Sequence, residues 1–425
     1  MPDLVKLLLQ VSIIVIFARL AGLAFRRIGQ PQVMGEMVAG ILLGPSFLGW
    51  IYPAAMDRLF PETSLGYLST LSQVGLLLYM FLVGLEFNPK MLRNLGHAAF
   101  LTSHVSISVP FLMGAMLALY LYPLLSGDNV PFLEFALFMG AAMSVTAFPV
   151  LARILRERDL HRTRLGTISI ACAAVDDVTA WCILAYILAL ARASHGTHPL
   201  WWTVLGLFAF VIFMTTAVRL WLQSFVNRFR SRGSISDDMM GVILLILLGS
   251  AAITEWLGIH LLFGAFLFGA IMPKDEDFVH RISEKLESIT MVLLLPIFFA
   301  FTGLRTSTGL LREAEMWMFC GLIILVAVAG KLGGSFVAAR VAGLGWREAA
   351  GVGILMNTRG LMELVILNIG LDLGIITPVV FSMMVIMALV TTFMTTPLLA
   401  WVYPRRLVPA APQPAASGPE LARLA

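Results

Sequence analysis

Apolar runs of about twenty residues recur along the chain, broken by short links that carry charge, glycine or proline. An α-helix rises 1.5 Å per residue, so about 20 mostly apolar residues cross the hydrocarbon core of a bilayer. Thirteen stretches meet or approach that length: 4–25, 32–50, 65–87, 96–122, 132–154, 164–191, 200–223, 237–257, 260–273, 286–304, 315–339, 347–370 and 377–402. The ninth is short enough to be half of a hairpin. The runs are continuous rather than alternating, which predicts helices and not a β-barrel. The expected fold class is an all-α polytopic membrane protein of about 13 transmembrane helices, residues 1–403. A proline- and alanine-rich tail at 404–425 is expected to be disordered and cytoplasmic.

Composition agrees: 59% of residues are hydrophobic and 13% charged, with a mean hydropathy of +0.90. Those values exclude a soluble domain. A net charge of +4 would suggest nucleic acid in a soluble chain, but its placement argues otherwise. With the N-terminus outside, the inner links carry Arg26, Arg27, Lys90, Arg93, Arg153, Arg156, Arg158, Arg162, Arg164, Arg228, Arg230, Arg232, Lys274, Arg281, Lys285, Arg340, Arg347, Arg405 and Arg406. The outer links carry Arg58, Arg192, Arg305 and Arg312. This bias predicts an N-out, C-in orientation in the cytoplasmic membrane, and no nucleic-acid partner. The first segment lacks a basic leader and a cleavage site, so it is expected to be retained. Cys172 and Cys182 lie about 15 Å apart along one helix, too far for a disulfide. No metal-ligand spacing, glycine-rich nucleotide loop or enzyme motif is present, so no cofactor is expected.

The segments repeat with an offset of seven. Ala39-Gly-Ile-Leu-Leu-Gly-Pro45 in the second resembles Gly264-Ala-Phe-Leu-Phe-Gly-Ala-Ile-Met-Pro273 in the ninth. Leu76-Leu-Leu-Tyr-Met-Phe-Leu-Val-Gly-Leu-Glu86 in the third resembles Leu293-Leu-Leu-Pro-Ile-Phe-Phe-Ala-Phe-Thr-Gly-Leu-Arg305 in the tenth. An odd offset inserts the second copy upside down. Inverted repeats build many secondary transporters, with the site where discontinuous helices cross at the midplane. Segment five is interrupted by Met143-Ser-Val-Thr-Ala-Phe-Pro-Val150, and segment twelve, seven later, by Met356-Asn-Thr-Arg-Gly-Leu-Met-Glu363. Proline and glycine predict two crossing breaks there, lined by Ser144, Thr146, Asn357 and Thr358.

Segment six carries Asp176 and Asp177 side by side among apolar residues. A charged group at bilayer depth costs roughly 2.5–3.5 kcal/mol on insertion scales, so such groups line water-filled paths and handle ions or protons. Lys331, the one lysine at a predicted helix centre, needs a counter-charge, and either aspartate could supply it. Helical neighbours point about 100° apart, so the second aspartate is left to face a different partner. That carboxylate, with carbonyls freed by the breaks, can hold a proton or a monovalent cation but not both. Arg359 and Glu363, at i,i+4, are expected to form a mainly structural ion pair.

Several segments together resemble the monovalent cation:proton antiporter-2 family. They are Gln30-Pro-Gln-Val-Met-Gly-Glu-Met-Val-Ala-Gly-Ile-Leu-Leu-Gly-Pro-Ser-Phe-Leu-Gly49, Phe81-Leu-Val-Gly-Leu-Glu-Phe87, Ala174-Val-Asp-Asp-Val-Thr-Ala-Trp181, Gly330-Lys-Leu-Gly333 and Met356-Asn-Thr-Arg-Gly-Leu-Met-Glu-Leu364. The resemblance implies a homodimer in which a core domain moves against a dimerisation domain. It maps the ion- and proton-binding aspartate onto Asp177, the preceding acid onto Asp176, its lysine onto Lys331 and the threonine of the unwound helix onto Thr146. Two adjacent aspartates with that lysine imply electrogenic exchange of protons for Na⁺ or K⁺. No nucleotide-binding domain follows the last segment, so the nucleotide-domain regulation of glutathione-gated relatives is not expected. The rival readings are a sodium-coupled symporter of organic solutes on the same fold and a passive potassium channel. The latter lacks a Thr-Val-Gly-Tyr-Gly filter.

Overall fold

The computed structural model describes residues 3–87, 96–161, 163–194, 200–232 and 235–404, all helices and links. Lys90, Arg93, Arg162 and the tail from Arg405 lie outside the described residues. Among the described residues, twelve helical stretches are long and apolar enough to cross a membrane, and Leu261–Ile271 is a shorter apolar helix in the ninth position.

In chain order the main helices, leaving aside the short ones at Leu48–Ile51 and Pro53–Leu59, are α1 (Asp3–Arg27), α2 (Gln32–Leu43), α3 (Glu62–Glu86), α4 (His97–Leu125), α5 (Phe132–Ser144) and α6 (Phe148–Glu157). There follow α7 (Arg164–Ser194), α8 (Leu200–Phe213, carried on through a π turn at Met214–Val218 into a helix at Arg219–Arg232), α9 (Asp237–Trp256), α10 (Leu261–Ile271), α11 (Glu276–Ile289) and α12 (Leu295–Arg305). The last are α13 (Ala314–Val328), α14 (Gly334–Val341), α15 (Trp346–Met356), α16 (Leu361–Asp372) and α17 (Pro378–Val402). Single π turns join α11 to α12 at Thr290–Leu294 and α13 to α14 at Ala329–Gly333. The second predicted span is shorter than its apolar run. Its helix stops at Leu43, because Gly44 turns extended ahead of Pro45.

The helices form two bundles. A scaffold packs α1, α2, α3, α9, α10, α11 and α12 together; a core packs α4 to α7 with α13 to α17. Directly across the seam, α2 touches α17.

Glycines build the scaffold and show the repeat. A Cβ on Gly269 of α10 would sit 2.2 Å from the Phe81 carbonyl of α3, and one on Gly84 2.2 Å from the Phe266 carbonyl of α10. The inverted copy is the α2–α12 crossing, where a Cβ on Gly40 would meet the Phe299 carbonyl at 2.2 Å. Gly303 faces the Gly40 backbone equally closely. The residue after each repeat's proline then ties the neighbouring helix end. Lys274 Nζ donates to the Gly84 and Leu85 carbonyls at 3.1 and 2.8 Å. Ser46 Oγ donates to the Thr306 carbonyl at 2.7 Å.

In the core, α5 stops at Ser144 and α6 begins at Phe148 with Pro149 in its first turn, where a missing N–H breaks no ladder. The second break separates α15 from α16 at residues 357–360. The two breaks cross and bond. Ala147 N donates to the Thr358 carbonyl at 2.9 Å, and Thr146 Oγ1 to the Met356 carbonyl at 3.0 Å.

Candidate functional site

Helix α7 runs past this crossing and delivers both aspartates to it, almost without exposure. Their surroundings differ completely. Asp176 Oδ2 accepts from Lys331 Nζ at 2.6 Å and from Thr146 Oγ1 at 2.8 Å. Ser106 Oγ on α4 donates to its Oδ1 at 3.0 Å. Lys331, in the π turn that widens the helix, spends its other protons on the Ser144 and Ser106 carbonyls at 2.5 and 2.9 Å. Both charges of this pair are fully buried and fully bonded, the condition under which a buried ion pair is tolerated.

Asp177 is the opposite case. It is 3% exposed, and its Oδ1 is buried without a hydrogen-bond partner among the described residues. A bare carboxylate oxygen there is costly unless a proton or a cation satisfies it. The scaffold presents Tyr79, an electrostatic neighbour of Asp177, from α3. Tyr79 also lines a cavity of about 420 Å³ between the bundles, together with Glu36, Glu86, Arg153, Arg156 and Glu287.

The C-terminus of half-helix α5 points its free carbonyls into the core, where two cations meet them. Arg359 donates to the Ala142 and Met143 carbonyls at 2.7 and 2.5 Å, and Lys331 takes that of Ser144. Cations at a helix C-terminus are stabilised by its partial negative charge. Arg359 also pairs with Glu363 at 3.3 Å, both side chains fully buried. The expected i,i+4 pair is present, but Arg359 also caps the break.

Of the residues predicted to line the breaks, Thr146 reaches Asp176 rather than Asp177, and Ser144 contributes its carbonyl to Lys331. Asn357 and Thr358 turn their side chains to α17, toward Met394 at 3.8 Å and Thr395 at 3.4 Å. Thr358 meets the crossing through its carbonyl, while Asn357 N bonds back to the Gly353 carbonyl of its own half-helix at 3.2 Å. Ser106 was missed. Its signal was a patch of small polar residues, Thr102, Ser103 and Ser106, on the buried side of an apolar helix. Glu255, near the end of α9, accepts from Leu261 N at 3.0 Å.

Residues 12–402 match the transmembrane sodium/hydrogen exchanger family. The chain belongs to that family. Over 404 residues it is 46% identical to the Na⁺/H⁺ antiporter NhaS4 of Synechocystis sp., covering 94% of this chain and 98% of that protein. It is 40% identical over 399 residues to cation/H⁺ antiporter 19 of Arabidopsis thaliana, covering 93% of this chain and 49% of the plant protein. This exchanger-family chain thus spans about half of that longer relative. Among solved structures, the sodium proton antiporter MjNhaP1 of Methanocaldococcus jannaschii superposes with a TM-score of 0.65 at 14% identity, over 94% and 98% of the two chains. That likeness concerns the fold.

Proposed function

We propose that this chain is a secondary-active antiporter that exchanges Na⁺ or K⁺ for protons across the cytoplasmic membrane, electrogenically and as a homodimer. The observation that carries the reading is the unpartnered Asp177 Oδ1 beside a saturated Asp176. Competition at one carboxylate is enough for exchange. A cation entering the cavity displaces the proton of Asp177, and a proton arriving from the other side displaces the cation. The second proton of an electrogenic cycle would come from the Asp176–Lys331 pair, released as a cation's charge draws near. One net charge per cycle draws about 2.3 kcal/mol from each 100 mV.

The core moves as an elevator against the scaffold. Support for this is the seam between the bundles, with its cavity on one side and polar contacts on the other. The basic end is taken as cytoplasmic by the charge bias of the links, so the cavity faces inward. The relatives' names include Na⁺/H⁺ and, in yeast, K⁺/H⁺ antiport, which supports a monovalent cation over an organic solute.

The test uses purified protein in acid-interior liposomes, with internal pH followed as Na⁺, K⁺ or Li⁺ is added outside. Cation-dependent alkalinisation is expected, abolished in Asp177→Asn. Exchange at the wild-type rate in that variant would end the assignment. Uptake of an organic solute with Na⁺, and no alkalinisation, would favour the symporter.

A further inference from the structure

The inverted repeat places two charged scaffold residues at equivalent positions. Glu86 lies two residues beyond the crossing glycine Gly84, at the end of α3, and Arg305 two residues beyond the crossing glycine Gly303, at the end of α12. They stand at opposite ends of the seam, with opposite charge. Each faces the end of a second half-helix of the core: Asp372 is the last residue of α16, and Arg156 lies in the last turn of α6.

At one end the gap is closed. Arg305 donates to Asp372 Oδ1 at 2.5 Å and to Asn368 Oδ1 at 3.0 Å. Asn368 Nδ2 donates back to Thr302 Oγ1 at 2.9 Å, and Ser307 N to Ser382 Oγ at 3.1 Å. The Arg305 guanidinium also lies 6.0 Å from the ring of Phe381 on the core. At the other end Gln30 Nε2 donates to the Phe393 carbonyl at 3.1 Å, and beside that contact the gap is open. Glu86 and Arg156 line the same cavity, and no ion pair joins them.

We propose that these are two ionic latches of reversed polarity, Arg305–Asp372 and Glu86–Arg156, which close in alternation and set the balance between the two access states. The inference rests on the elevator reading above. Opening the Arg305 end draws Asp372 off Arg305, and closing the cavity end brings Arg156 onto Glu86, so each state trades one latch for the other. A bistable element of this kind is shifted by differential contacts in its two arrangements. Reversed polarity also keeps wrong pairings repulsive, because the core presents an acid at one end and a base at the other.

The test uses the full chain in proteoliposomes, with Cys172, Cys182 and Cys320 replaced by alanine and Val83→Cys as a reporter in the cavity. A membrane-impermeant maleimide is applied from the Glu86 side. Asp372→Asn is expected to lower the labelling rate about threefold, as suits a half-exposed ion pair. Adding Glu86→Gln to it, or reversing the pair with Arg305→Asp and Asp372→Arg, is expected to restore the parent rate. If Asp372→Asn labels like the parent while the parent responds to an imposed pH gradient, the latch is refuted and the elevator stands. If the lowered rate is not restored by either second change, the loss is damage and the latch is equally refuted. A parent that labels alike under every gradient removes the elevator and the latch together.

Discussion

Replacing Lys331 by methionine keeps the stem and deletes the charge. The ammonium is fully buried, with Asp176 Oδ2 at 2.6 Å and two backbone carbonyls as its other partners. Deleting one member of a buried, hydrogen-bonded pair costs about 3–5 kcal/mol, because the other charge stays behind unpaired. Thr146 and Ser106 still donate to Asp176, which argues for the lower half of that range. Asp176→Asn alone strands the ammonium and should cost a similar amount. The double variant leaves no stranded charge and should lie within about 2 kcal/mol of the parent, a coupling expected only for groups in contact. Denaturant titration in mixed micelles reads all four corners of the cycle. Simple additivity of the two single losses would refute the pair as a unit. The same variant tests transport: Lys331→Met should lose cation extrusion driven by a 100 mV potential without a pH gradient, worth about 2.3 kcal/mol per charge. Full potential-driven extrusion in that variant would reduce the lysine to a brace.

Gly269→Ala puts a methyl 2.2 Å from the Phe81 carbonyl of α3. Backbone cannot yield by that much without parting the helices, so monodisperse protein in detergent should fall sharply, while Gly249→Ala, with open space around it, should purify normally. Lys274 is pulled down to about 7 by burial first and by the charge of Arg219 second, from an ordinary 10.5. Below about 7 both folded and unfolded chains hold that proton and the cost of burying the charge is complete. Between about 7 and 10.5 the unfolded chain binds more of it, so the residue's contribution to stability rises with pH across that window. Lys274→Gln should flatten that part of the stability profile measured by thermal unfolding, and an unchanged slope would show that the residue titrates elsewhere.

Much of the architecture was legible because the bilayer imposes a length on every span and basic links impose a direction. The breaks were legible too: Pro149 cannot continue a helix, and polar residues beside Gly360 mark a second interruption seven spans later. A lone buried lysine among aspartates has to find one of them, so a Lys331–aspartate pair could be expected before any coordinates. Which aspartate it chose was decided by packing. Adjacent residues on a helix diverge by about 100°; Ser169 and Cys172 share the buried face of Asp176, but nothing in α7 itself says that Lys331 meets that face. Only the placement of α4 and the π turn against α7 gives Asp176 the partners and leaves Asp177 bare. Arg359 is a similar case. Its i,i+4 partner Glu363 is visible in the sequence, but the carbonyls it caps belong to a helix more than two hundred residues earlier. The Arg305–Asp372 contact joins two helix ends, each of which looks like an ordinary charged end of a span. The chain's composition and spacing thus set what must be buried, broken and paired, since lipid tolerates no unmet charge. Its choice of partners arose only from helices meeting at the crossing, because long-range contacts leave no periodic trace in either segment.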